Sequence, residues 1–112
     1  MELRMARYVL IESRDPFETN DVAFCRDLAA RLAGQGDEVT LFLVQNGVLP
    51  ARAGFRGEGL SALAQAGIKV LADTFSLNER GIPHQALASG VKAAPLDIVI
   101  DAMAAGGKVI WH

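Results

Sequence analysis

The chain has one cysteine, one tryptophan, one tyrosine and two histidines in 112 residues. A single thiol excludes an internal disulfide framework and a cysteine-rich zinc site. It suits a reducing compartment, so a cytoplasmic location is expected. His84 and His112 stand far apart with no H-x-x-H spacing, and no metal site is expected. A large charge of one sign is also missing. The net charge is −2, and lysine and arginine form no block. No nucleic-acid partner and no membrane-surface contact are therefore expected. The N-terminal apolar run, Tyr8 to Ile11, is far too short to span a bilayer and no small-residue cleavage site follows it, so neither a signal peptide nor a membrane helix is expected. Internal repeats and low-complexity segments are absent as well.

What is present is an ordinary globular composition, 51% hydrophobic and 21% charged. It is enough for one domain, residues 1–112, with one modest core. Ala6–Ser13 reads as a strand whose apolar residues do not alternate, as expected when both faces of a parallel sheet are covered. Thr19, Asn20 or Asp21 caps a helix to about Ala33. Its apolar face is Cys25, Leu28, Ala29 and Leu32, with Arg26, Asp27 and Arg31 elsewhere on its surface. Glu38–Val44 is a second buried strand. Gln45–Glu58 reads as a long irregular segment, of the kind that is usually functional or mobile. A short helix, Gly59–Ala66, leads to a third strand, Ile68–Ala72.

The loop after that strand carries Asp73, Thr74, Ser76, Asn78, Glu79 and Arg80, with a short helix starting near Ser76. His84–Ser89 is a helical turn and Val91–Ala94 a short edge strand. Leu96–Ala105 is the last helix, with Leu96, Val99, Ile100 and Met103 at helical spacing. Lys108–Trp111 is the final strand. Strands alternating with helices predict a five-stranded parallel sheet between helical layers: an α/β fold, a three-layer α/β/α sandwich of flavodoxin-like architecture. In such sheets ligands collect at the carboxyl ends of the strands. That rule makes the Asp73–His84 stretch the first place to look.

Nucleotide motifs are missing from those ends. GFRGEG has neither the ending of a phosphate loop nor the order of a dinucleotide fingerprint, and Arg14–Glu18 has no glycine. No cofactor is expected. Cys25 is the sole thiol and falls on the apolar face of the first helix, where cysteine packs as a small inert residue. Asp73 either faces a ligand or caps the helix that follows. Arg14, Arg52, Arg56 and Arg80 all follow strand ends and together form a possible rim for a small anion. His84 has no paired nucleophile and reads as a solvent-facing helix start.

The strand Gly67–Ala72, its following loop and helix ending in Arg80-Gly81-Ile82, the AFCRDLAARLAGQGDEV helix and the Gln45-Asn46-Gly47-Val48 turn resemble the DsrE/DsrF/DsrH-like family of small sulfur-relay proteins. The resemblance covers nearly the whole chain. It implies the three-layer fold and assembly into a homo-oligomer, a trimer or hexamer, or with related DsrE-like subunits. In sulfur-transferring members a cysteine near the start of the third-strand loop carries a persulfide. Here that position is Asp73 or a neighbour, and Leu71–Arg80 has no cysteine. A carboxylate cannot carry sulfane sulfur, because the relay needs a thiolate that attacks and leaves again.

The expected function is therefore a non-catalytic binding or assembly subunit of intracellular sulfur metabolism. One alternative is a sulfurtransferase using Cys25 or a partner's thiol. The other is a protein that binds a small sulfur-containing anion at the strand-end rim. Candidate ligand-binding residues are Arg14, Asn46, Asp73, Thr74, Arg80 and His84. Phe17, Val48, Leu49 and Phe55 are the expected interface residues, and Trp111 is expected in packing or at an interface.

Overall fold

A computed structural model describes residues 6–15, 21–52, 54 and 58–111. Five strands, β1 (Arg7–Glu12), β2 (Glu38–Leu43), β3 (Lys69–Asp73), β4 (Val91–Ala94) and β5 (Lys108–Trp111), form one sheet in the order β4-β3-β2-β1-β5. Every pairing is parallel. The helices are α1 (Asp21–Gly34), α2 (Glu58–Gln65), α3 (Thr74–Glu79) and α4 (Asp97–Ala104), with 3₁₀ segments at Gln45–Ala51 and His84–Ala86. The alternating, both-sides-covered architecture expected from the sequence is thus present, and Val91–Ala94 does lie at a sheet edge.

Handedness decides which face each helix covers. The chain steps in one direction from β1 to β4, so right-handed crossovers place α1 and α2 on the same face. Cys25, Ala29 and Leu60 pack there with Leu10, Leu41, Leu43 and Val70. The last crossover reverses direction, returning across the sheet to set β5 beside β1. Its helix, α4, therefore lands on the opposite face, over Val9, Ile11, Phe42, Leu71 and Ala94. A five-stranded sheet is about 19 Å wide from edge to edge. One helix covers about 10 Å of it. The second face is left partly bare, and open grooves of about 460 Å³ over Leu71 and Ala94 and about 300 Å³ over Val9 and Thr40 flank α4 at Ile98.

Three sequence expectations change. Gln45–Ala51 is a 3₁₀ segment whose Gly47, Val48, Pro50 and Ala51 are buried, not an irregular loop. Val48 is accordingly buried in the core and Leu49 packs half-buried against it; apolar content drives the segment onto the sheet end. The Asp73–Arg80 stretch is helical from Thr74, because Asp73 itself supplies the cap. On α4 the stripe Leu96, Val99, Ile100, Met103 is not the buried one. Only Val99 is buried, with Ile98 and Ala102 beside it against the core, while Leu96, Ile100 and Met103 face outward. Helical periodicity finds an apolar stripe, but a helix apolar on two sides has two of them. Phe17, Thr19, Asn20, Phe55, Arg56 and His112 lie outside the described residues.

Candidate functional site

The carboxyl end of the sheet holds two polar groups. The first is built on β3. Asp73 is buried at the strand's last position and accepts from the Ser76 backbone N–H at 3.0 Å and from the Ser76 hydroxyl at 2.7 Å. Aspartate at a helix N-cap satisfies a backbone donor that would otherwise be orphaned. The Ser76 Oγ in turn accepts from the Gln45 N–H at 2.8 Å. Gln45 has a φ of 51°, in the left-handed region, so the chain turns sharply from β2 into the 3₁₀ segment where this bond anchors it. Arg80 donates through Nε and Nη2 to Asn46 Oδ1 at 3.2 and 3.0 Å, and through Nη1 to the Ser76 carbonyl at 3.3 Å. His84 is exposed and its Nε2 lies 3.0 Å from Asn78 Oδ1.

Of the candidate ligand-binding residues, Asp73, Arg80 and Asn46 thus come together with Ser76. They do so as a clasp tying α3 to the 3₁₀ segment. Arg80 is engaged on all three nitrogens, and Arg52 donates its Nε to the Leu49 carbonyl. Two members of the expected arginine rim thus bond to the chain, Arg80 through three nitrogens and the exposed Arg52 through Nε. Thr74 is half-buried, and Arg14 is exposed after β1.

The second group is built on β1 and α1, and sequence reasoning missed it. Glu12 ends β1 on the α1 side, following Leu10 in the two-residue period of the strand. The residue is 1% exposed. Neither of its oxygens has a hydrogen-bond partner, and the same holds for the buried Nε and Nη2 of Arg26 on α1. Burial pushes the Glu12 carboxyl up to about 7, partly opposed by the Arg26 guanidinium. Cys25 lies in the same electrostatic neighbourhood. Burial pushes its thiol up to about 12, the Glu12 charge adds to this, and Arg26 opposes it.

The backbone closes over Glu12. Its carbonyl accepts from the Val44 N–H at 2.9 Å, and Gly47 crosses so closely that an added Cβ would collide with that carbonyl oxygen. The available signal in the sequence was a charged residue, Glu12, closing an otherwise apolar strand. The sequence sets Arg26 off the apolar face of α1, yet its Nε and Nη2 are buried.

The Cys25 thiol is buried with its pKa pushed up to about 12, and the Ser76 hydroxyl donates to the Asp73 carboxylate that also caps α3. Among the described residues no cluster of three or more histidine, cysteine or carboxylate groups is placed to hold a metal. No helix among them is long and apolar enough to cross a membrane.

No protein-family model matches the sequence. No curated protein matches it either. Solved structures do. The YchN protein from E. coli superposes with a TM-score of 0.87 at 20% identity, covering 96% of this chain and 100% of that one. MTH1491 from Methanobacterium thermoautotrophicum, a protein of unknown function, gives 0.84 at 17% identity over 96% and 99%. BT1422 from Bacteroides thetaiotaomicron, a conserved protein of unknown function, gives 0.74 at 15% identity over 95% and 94%. At these identities the likeness is one of fold: this chain is a five-stranded parallel α/β sandwich of the kind seen in YchN.

Proposed function

We propose that the protein is a non-catalytic assembly subunit with a DsrE-like fold, joined to copies of itself or to related subunits through the α4 face, and that it serves intracellular sulfur metabolism. The observation that carries the assembly reading is the apolar surface on that face. Leu96, Ile100 and Met103 point outward from α4, Ile100 and Met103 being 59% and 60% exposed. Trp111, 63% exposed, pairs in register with Ile11 on the edge strand β5, so it belongs to the same side of the sheet. Large apolar residues clustered beside a half-covered sheet mark an interaction surface. The sulfur context rests on the sequence resemblance, and the fold likeness to YchN is compatible with it.

A subunit role fits the chemistry better than transfer does. The resemblance puts the sulfur-carrying position at Asp73 or a neighbour, where Leu71–Arg80 has no cysteine, and Asp73 itself serves as a helix cap. The sole thiol, Cys25, is buried and protonated. Light scattering coupled to gel filtration tests the assembly. The intact protein is expected to run as a defined oligomer, with Ile100→Lys together with Trp111→Lys shifting it to monomer. A wild-type monomer at all concentrations overturns the reading. Intact-mass analysis after exposure to a sulfane-sulfur donor tests the catalytic alternative. No adduct is expected; a gain of one sulfur that Cys25→Ser abolishes would establish a transferase.

A further inference from the structure

The α4 face carries both halves of a junction. One half is a ridge on the helix. Asp97, Ile100, Asp101 and Ala104 stand at i, i+3, i+4 and i+7, so they share one side of α4, and all four are exposed. The opposite side, Ile98 and Ala102, rests on the sheet. The other half is the groove beside the helix. By the two-residue period of the strands, Lys69 points to the same side of β3 as Leu71, and Lys92 to the same side of β4 as Ala94. Leu71 and Ala94 belong to the cluster under α4, so both lysines rise from that face, and both line the groove of about 460 Å³. Lys69 and Ile98 also line the groove of about 300 Å³, so the two adjoin. Asp101 and Lys69 line that second groove together without closing to a salt bridge. Among the described residues none of Lys69, Lys92, Asp97 and Asp101 forms an ion pair.

Size and charge name the occupant of the groove. The sheet is about 19 Å across and α4 covers about 10 Å of it, so the bare strip is about one helix wide. A partner that covers it must bring apolar side chains together with negative charge to meet the lysines. The α4 ridge has both. We propose that the strip is filled by α4 of a second copy, and that the two copies meet face to face about a two-fold axis. Each α4 then lies between two sheets, on its own through Ile98, Val99 and Ala102 and on the other through Ile100. A helix apolar on two sides suits such a layer. Asp97 and Asp101 come against Lys69 and Lys92 of the partner subunit. The symmetry follows from placement. Ridge and groove lie side by side on one face and point the same way, so seating one in the other turns the subunits towards each other, and the same two-fold seats the second pair. A head-to-tail ring needs the two halves on surfaces that point apart. This inference rests on the assembly reading and narrows it from a face to a symmetry and a charge pattern.

Charge reversal tests it on the intact protein. Lys69→Glu with Lys92→Glu makes all four positions acidic, and Asp97→Lys with Asp101→Lys makes all four basic. The four residues are exposed, so each variant is expected to keep the wild-type circular dichroism spectrum. Mass is read by light scattering at concentrations where the wild type is assembled. Each double variant alone sets like charges together across the junction and is expected to have half the wild-type mass, its dissociation constant raised by about a hundredfold or more. An equimolar mixture of the two pairs acidic with basic faces and is expected to regain the wild-type mass, with both variants present in one-to-one ratio. A wild-type assembly unmoved by either double variant overturns the inference and leaves the assembly reading standing. So does a wild-type trimer, which contains no two-fold. A mixture that stays at half mass overturns the charge pairing. A wild-type monomer at all concentrations removes both readings.

Discussion

At the scale of single residues, burial sets the chemistry. Cys25 sits in the core with its thiol pushed up to about 12 from 9.0. A shift of that size lowers the reactive thiolate fraction at neutral pH by about a thousandfold. Native protein is therefore expected to react with a disulfide reagent about three orders of magnitude more slowly than protein unfolded in urea. Equal rates would place Cys25 at the surface. Glu12 makes the converse case. Its folded-state value of about 7 lies above the ordinary 4.5, so the folded protein keeps the proton longer than the unfolded chain does. The stability this gives is whole below the ordinary value and is lost as pH rises through about 7. The loss amounts to roughly 3 kcal/mol. Glu12→Gln cannot ionise. Urea denaturation from pH 5 to about 8 should show the variant gaining on wild type as pH rises, with parallel curves refuting the assignment.

At the scale of elements, short segments are held by a few bonds each. Helix α3 is six residues long, too short to persist by propensity alone. The Asp73 cap and its Ser76 relay to Gln45 fix it in place. Asp73→Ala removes the cap and leaves the Ser76 hydroxyl short of its acceptor in a buried site. A destabilisation of about 2–3 kcal/mol in chemical denaturation is expected. The 3₁₀ segment is held from its other side by Gly47, whose close approach to the Glu12 carbonyl admits no side chain. Gly47→Ala should cost about 1–3 kcal/mol by forcing that backbone away, whereas the same change at Gly34, where an added Cβ meets nothing, should be neutral or mildly stabilising.

At the scale of the whole molecule, the uneven covering of the sheet dominates. Helices α1, α2 and α3 pack into the cluster on one face and α4 alone into that on the other, an imbalance that follows from a single reversal in strand order. The outward residues of α4 contribute little to the fold of one subunit, since they touch solvent there. Ile100→Lys is accordingly expected to change the stability of the isolated subunit by no more than about 0.5 kcal/mol, while weakening the oligomer. A large loss of subunit stability at high dilution would instead make Ile100 a core residue.

The alternation of element types, the buried strands and the apolar side of α1 were legible in the sequence because each depends on local periodicity, which a chain displays along its own length. Cys25 was correctly read as core for that reason. So was the capping role of Asp73, in one of its two readings, since a cap is a contact between near neighbours. The pairing of β5 with β1, the burial of Val48 and the choice between the two apolar stripes of α4 were decided only in three dimensions. Each depends on which distant segment arrives opposite. Glu12 and Arg26 belong to that class too: nothing in the spacing of a glutamate and an arginine announces that packing will bury the Glu12 carboxyl and the Arg26 Nε and Nη2 without hydrogen-bond partners.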